Sequence, residues 1–307
     1  MAVGHARTAL VALGAAGAVG VAAGVWGIGI ERYLFTVRHQ AVRALPAGSR
    51  ALRILHVSDA HLAPWQRRKQ EWMAALVRFE PDLVINTGDN LGHPDGLRGV
   101  RRAFDPLRGI PGLYVHGSND RDAPSARNPF RYFAGPSRRR QRPEALDTGS
   151  LDRYLQDELG WICLDNDAAS LSAGGLRITA VGTDDAHHDL DRLDVLPART
   201  AALPVADVTL GVTHAPYRRV LDALTDVGAD AIFAGHTHGG QVRLPGYGAL
   251  VANCDLPLAQ ARGLSTWTHD GRSTALTVSA GLGHSIYAPV RFACRPEASL
   301  VTLLPRD

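Results

Sequence analysis

From residue 51 onward, short apolar runs alternate with amphipathic segments, a pattern that predicts strands joined by helices. Leu52–Val57, Leu83–Asn86 and Leu113–His116 read as buried strands, and Gln66–Phe79 and Leu97–Leu107 between them carry helical spacing. The second half adds strands at Leu176–Gly182, Val208–Thr213, Ala231–Ala234, Leu276–Ser279 and Leu300–Leu304, after a short helix near Leu151–Glu158. Strands separated by helices argue for βαβ units and a largely parallel sheet. Residues 121–149 break the rhythm with Pro, Arg and Ser, including Arg138-Arg-Arg-Gln-Arg142, and predict a long surface loop. That basic run reads first as a solvated face; a nearby membrane raises the value of its alternative role, gripping anionic headgroups or a phosphorylated substrate.

The N-terminus is of another kind. Thr8 to Ile30 is an uncharged stretch of 23 residues. At about 1.5 Å rise per residue, such a helix reaches about 34 Å, enough to cross a hydrocarbon core of about 30 Å. A cleaved signal peptide is the rival reading, but its apolar core runs roughly 7–15 residues before a small-x-small site. Here the stretch is longer and continues into Ile30-Glu31-Arg32-Tyr33. The expectation is a single-pass anchor at residues 1–30, meeting membrane lipid through residues 8–30, with a juxtamembrane linker at 31–50 and one domain at 51–307. Arg7 precedes the apolar stretch while Arg32, Arg38 and Arg43 follow it, which leans slightly towards a cytoplasmic body at the cell membrane.

Composition narrows the function classes. Thirty-three basic residues against thirty acidic ones give a net charge of +3, too balanced for a dedicated nucleic-acid binder, so no specific nucleic-acid binding is predicted. Cys163, Cys254 and Cys294 are too few and too scattered for a disulfide framework or a thiolate metal site. Lys69 is the only lysine, whereas histidine occurs thirteen times.

Polar clusters stand where the strands run out: Ser58-Asp59-Ala60-His61, Thr87-Gly88-Asp89-Asn90, Gly117-Ser118-Asn119-Asp120, Thr213-His214-Ala215-Pro216 and Gly235-His236-Thr237-His238-Gly239-Gly240. Ligands of open α/β sheets bind beyond the carboxyl ends of strands, so the clusters are placed to converge. Side chains at i and i+2 of an extended segment point the same way, which lets Asp59 with His61, and His236 with His238, each offer two ligand atoms to one side. Carboxylate oxygens and neutral imidazoles without thiolates suit Mn²⁺, Fe²⁺ or Zn²⁺.

In this order the motifs resemble the calcineurin-like metallophosphoesterase superfamily over about residues 51–307. The closing stretch Gly281-Leu-Gly-His284-Ser, Pro289-Val-Arg291-Phe and Arg295-Pro-Glu297 is further similar to a bacterial branch with an N-terminal membrane or export segment. The resemblance implies an α/β fold, a four-layer α/β/β/α sandwich, carrying two divalent metal ions (Mn, Fe or Zn). By motif, Asp59, His61 and His238 would hold the first ion, Asn119, His214 and His236 the second, and Asp89 would bridge them. A phosphoric ester hydrolase follows, diesterase rather than monoesterase, in which a metal-bridging hydroxide attacks phosphorus and His214 helps to stabilise the phosphoryl charge. A non-catalytic scaffold of the same fold is the alternative. A protein phosphatase is disfavoured because Gly88-Asp89 continues as Asn90-Leu-Gly-His instead of Arg-Gly.

One departure stands out. The family's Gly-Asn-His-Asp/Glu is here Gly117-Ser118-Asn119-Asp120. With one residue inserted, Asn119 keeps the ligand role and Asp120 takes the place of the histidine that assists the leaving group. Without insertion, Ser118 stands at the ligand position and Asn119 at the acid. Either way the acid histidine is missing, and His116 is a nearby substitute or a plain strand residue. His187, His188 and His284 are further candidates for the rim of the site, next to the blander reading of solvated loop residues.

Overall fold

Strands buried on both faces need apolar side chains at successive positions, and that is why the strand runs here are continuous rather than alternating. The computed structural model describes residues 2–124, 144–284 and 286–307; the Arg138–Arg142 run and most of the 121–149 loop lie outside the described residues. In chain order the elements are α1 (Ala2–Val25), β1 (Thr36–Leu45), β2 (Leu52–Val57), α2 (Arg67–Ala74), β3 (Leu83–Asn86), α3 (Leu97–Phe104), β4 (Gly112–Tyr114), α4 (Thr148–Arg153) and β5 (Ile162–Cys163). There follow β6 (Asp167–Ala173), β7 (Leu176–Gly182), α5 (Leu196–Ala201), β8 (Val208–Thr213), α6 (Arg218–Asp226), β9 (Ala231–Ala234), the short pair β10 (Arg243–Leu244) and β11 (Gly248–Ala249), β12 (Gly263–His269), β13 (Arg272–Val278) and β14 (Glu297–Pro305).

Two six-stranded sheets result, ordered β1-β14-β2-β3-β4-β5 and β12-β13-β9-β8-β7-β6. Their facing sides share one core, in which Ile54, Ile85 and Leu113 meet Ile178, Leu210, Val212 and Phe233. Neighbouring positions on the same strands face outward: Leu55, Val84 and Tyr114 pack under Met73, Val100, Phe104 and Leu151 of α2, α3 and α4. On the second sheet Val181, Ile232 and Leu276 lie under Leu196 of α5 and Val220, Leu221 and Leu224 of α6. The architecture is therefore helix, sheet, sheet, helix, in four layers.

The sheets are mixed rather than largely parallel: β14 runs antiparallel to β2, and β6–β7 and β12–β13 are antiparallel pairs. The linker expected at 31–50 is also corrected, because its residues 36–45 form β1, paired in parallel with β14. Arg38 reaches Glu297 of β14 at 2.9 Å, and Val42, Ala44 and Leu45 are buried.

Leu13–Tyr33 is long and apolar enough, by length and composition, to cross a membrane, with a mean hydropathy of 1.7. Its base is seated on the body. Arg291 N–H donates to Gly27 O at 3.1 Å, and a Cβ at Gly27 would come within 2.9 Å of Arg291 O, so only glycine permits the approach. Glu31, itself buried, accepts the Ala293 and Cys294 N–H groups at 2.9 and 2.6 Å and Trp26 Nε1–H at 2.6 Å.

Candidate metal centre

Tight turns at the carboxyl ends of β2, β3, β8 and β9 and beyond β4 bring the predicted polar clusters together. Asp59, His61, Asp89, His236 and His238 all have φ between 41° and 67°, the left-handed region that costs a non-glycine residue about 1 kcal/mol or more. Such strain concentrates where a turn must aim a side chain. Two glycines permit the closeness: a Cβ on Gly117 would collide with Asp89 Oδ1, and one on Gly235 with Ser58 Oγ.

At the centre, His61 Nε2 lies 3.5 Å from Asp89 Oδ2, and His214 Nε2 lies 3.7 Å from the same oxygen. His238 Nε2 is 3.6 Å from Asp59 Oδ1 and 3.2 Å from His61 Nε2. His236 Nδ1 is 3.3 Å from His214 Nε2. Asn119 donates to Asp89 twice, from its backbone at 2.7 Å and from Nδ2 at 2.8 Å, while Ser118 Oγ stands 3.3 Å from that amide. Asp59, His61 and His238 form one set of ligand atoms mutually within 4.8 Å; Asp59, Asp89 and His214 form a second. Asp59 is thus common to both sets, and Asp89 faces one imidazole of each.

The donor chemistry fits divalent ions. Metal-bound histidine ordinarily donates its other ring N–H to a carbonyl or carboxylate, which fixes the tautomer. His214 Nδ1 sits 2.7 Å from Thr87 O and His236 Nε2 sits 3.2 Å from Asn253 O, so in both rings the nitrogen left for a ligand points inward. Burial pushes His236 down to about 4 and holds His61 and His238 well below the usual imidazole range, leaving their lone pairs free. Burial also pushes the Asp59 carboxyl up to about 6, against the pull of the His214 charge. For His214 burial works against the charged form, but Asp89, Asp59 and Asp185 outweigh it and raise it to about 9.

Residues 52–240 match the family model for calcineurin-like phosphoesterases. The chain belongs to this family. It is 25% identical over 290 residues to the metallophosphoesterase YkuE of Bacillus subtilis (strain 168), with 90% of each chain covered. It is 27% identical over 261 residues to the metallophosphoesterase YkoQ of the same organism, covering 83% of this chain and 84% of the relative. A Bos taurus transmembrane protein with a metallophosphoesterase domain is 27% identical over 207 residues, 66% of this chain and 43% of that one.

For this phosphoesterase one expected site residue needs correction. Asp120 does not face the crevice as a leaving-group acid. It is fully buried, and its two oxygens accept the backbone N–H groups of Asp89 at 2.8 Å, Asn90 at 2.7 Å, Leu91 at 3.3 Å and Gly117 at 3.1 Å, plus the Asn90 side-chain amide at 3.3 Å. It braces the turn that presents Asp89. Asp120→Asn sets an amide N–H₂ against those donors and is expected to lower stability by about 2 kcal/mol, read as a fall in the urea midpoint with the slope unchanged.

His116 is likewise taken up elsewhere, between Asp165 at 2.7 Å and Asp152 at 3.0 Å. His116, Cys163 and Asp165 form a third ligand-like set, but Arg121 already reaches Asp165 at 2.8 Å and supplies its cation. His187 does reach the rim, its ring 4.5 Å from that of His236, whereas His188 binds Asp185 at 2.7 Å. Two residues without a predicted role line the back of the site. Lys69 is buried, its ammonium bonded to the Ala60 and His61 carbonyls, and burial pushes it down to about 7. Fully buried Arg291 binds the Gly281 and Gly283 carbonyls at 3.1 and 2.5 Å and approaches His238 Nδ1 to 3.3 Å. Being the only lysine is the sequence's sole signal for Lys69, and Arg291 lies in the closing stretch Pro289-Val-Arg291-Phe.

Proposed function

We propose that the protein is a membrane-anchored phosphodiesterase working with two divalent ions, Mn²⁺, Fe²⁺ or Zn²⁺. One observation carries the reading: two carboxylates and four imidazoles converge with their inner nitrogens aimed at shared space, and the amide of Asn119 sits against Asp89. Ions bound there supply positive charge to a phosphoryl group and acidity to a water. His61 and His238 face one side of that space and His214 and His236 the other, with Asp59 and Asp89 reaching both, and Asn119 offers its amide beside Asp89 in preference to Ser118. The carbonyls of Thr87 and Asn253 hold His214 and His236 in the ligating tautomer.

Proton supply to the leaving group is weak. Asp120 is locked under the turn, and His187 is held by burial and by His236 near 3, neutral at physiological pH. Esters whose alcohols depart without a proton should therefore react best. The apolar span at Leu13–Tyr33, seated through Gly27 and Glu31, supports the anchor.

The test is purification of the full chain in detergent, metal analysis, and a Mn²⁺-supplemented screen of aryl and alkyl phosphodiesters and monoesters. We expect about two ions per chain and turnover of aryl diesters at least tenfold above alkyl ones. Equal aryl and alkyl rates would remove the leaving-group argument. A protein that purifies metal-free and stays inert under Mn²⁺ would be a scaffold on this fold.

A further inference from the structure

We propose that the groove between the base of the N-terminal helix and the Asp59–His61 turn holds the hydrocarbon portion of a membrane-resident substrate, making the substrate class a lipid phosphodiester. This rests on the hydrolase reading above and adds to it which esters reach the site.

The groove has a volume of about 160 Å³. Tyr33, Phe35, Trp65 and Leu282 form its apolar walls, and Arg32, Arg67 and Arg68 stand along it as cations. Its outer end is fixed at the exit of the apolar span, because Arg32 to Phe35 directly follow Glu31, whose carboxylate is bonded to the Ala293 and Cys294 backbone. Its inner end lies against the backbone of the turn that carries Asp59 and His61. Leu282 N–H donates to Ser58 O at 3.1 Å and Gly283 N–H to Asp59 O at 2.6 Å, so that wall is pinned to the turn carrying the first ligands. From the floor, Lys69 donates to His61 O at 3.2 Å. His284 also lines the groove. A molecule lying in the groove therefore has one end at the bilayer exit and the other beside the turn that carries Asp59 and His61.

The chemistry of the walls selects the occupant. Trp65 leaves 61% of its surface exposed, and Trp26, Tyr33 and Tyr287 are also exposed on the helix base or on the loop docked against it. Aromatic residues gather where a chain meets the headgroup layer, amphipathic rings suiting both sides. Arg32 Nε is buried with no acceptor among the described residues, and Arg67 and Arg68 are exposed cations beside it. An anionic diester with an acyl tail suits both features: the tail covers the aromatic wall, and the arginines attract the anionic headgroup on its way to the ligands.

The experiment compares methyl and dodecyl p-nitrophenyl phosphate, below micellar concentration, on the Mn²⁺-loaded full chain in nanodiscs. Both esters share the reacting phosphorus and the leaving group. Wild-type protein should favour the dodecyl ester in kcat/KM by about 100-fold, equivalent to a few buried methylenes. Trp65→Ser and Leu282→Asp should each cut that preference at least tenfold, which separates groove binding from partition into the disc. In parallel, metal-free wild-type protein should bind dodecyl methyl phosphate in equilibrium dialysis about tenfold more tightly than Trp65→Ser does. Turnover of both esters with the same preference in wild type and variants overturns the groove and leaves the hydrolase standing. No turnover of either ester overturns the hydrolase reading and with it the substrate class.

Discussion

Asp89→Ala is expected to abolish divalent-metal binding and to lower aryl diester turnover by at least about 10³-fold, well beyond the 10–100-fold typical of residues that only orient ligands. Asp89 Oδ2 stands near imidazoles assigned to different ions, 3.5 Å from His61 and 3.7 Å from His214. The same carboxylate receives both hydrogen bonds from Asn119. Removing it strips a contact from each half of the centre at once. The fold itself should survive. In the ion-free protein the Asp89 charge repels Asp59 and attracts the charge on His214, so the substitution relieves one interaction while it loses the other and two hydrogen bonds. Circular dichroism should be unchanged and only the metal response should vanish. Wild-type protein at a Mn²⁺ concentration 100 times its Kd gains about 2.7 kcal/mol of stability by mass action, seen as a rise in Tm. Asp89→Ala should show no rise, and full metal content in that variant would refute the bridging assignment.

Sequence reading recovered the elements whose burial is double-sided. The runs at β2, β3, β7 and β9 carry apolar side chains on both faces because each strand touches two cores, so they were visible without tertiary information. The ligand clusters were visible for the same reason: each is a short polar motif cut off sharply from an apolar run. What stayed hidden depends on partners far along the chain. β1 lacks a regular alternation, with Arg38, His39 and Gln40 in a row and Arg43 beyond, and it becomes a strand because β14, some 260 residues later, offers it an edge. β6 and β12 are outer strands with one covered face, and the hydrophobic pattern predicts no strand at either. Direction was equally beyond spacing. Asn119 and Asp120 are neighbours, yet one side chain reaches Asp89 across the crevice and the other turns beneath the loop to collect its backbone N–H groups. Nor does any local pattern announce that Lys69 and Arg291 pass through the core to backbone carbonyls around the centre.

The metal-free protein should lose stability steeply in mild acid, and His56 should account for on the order of 4 kcal/mol of that loss. His56 lies on β2 with its ring wholly buried, edge-on to Phe233 at 5.4 Å. Nε2 is 3.0 Å from Thr87 Oγ1, and Nδ1 has no partner among the described residues. Burial pushes the imidazole down to about 3, with Glu297 opposing. The sign follows from which state takes the proton. Between pH 6.5 and 3 the unfolded chain protonates this ring while the folded chain refuses it, so protons favour unfolding. The contribution is complete above pH 6.5 and erodes by about 1.4 kcal/mol per unit as the pH falls towards 3. His56→Phe keeps the edge-on contact with Phe233 and loses only the Thr87 interaction, about 1 kcal/mol at pH 7. Urea midpoints measured in chelator from pH 7 to pH 4 should therefore fall more steeply in wild type than in the variant, and the two curves should cross. All other titrating groups are common to both proteins and cancel in the comparison, so parallel curves would show that His56 accepts its proton inside the folded core.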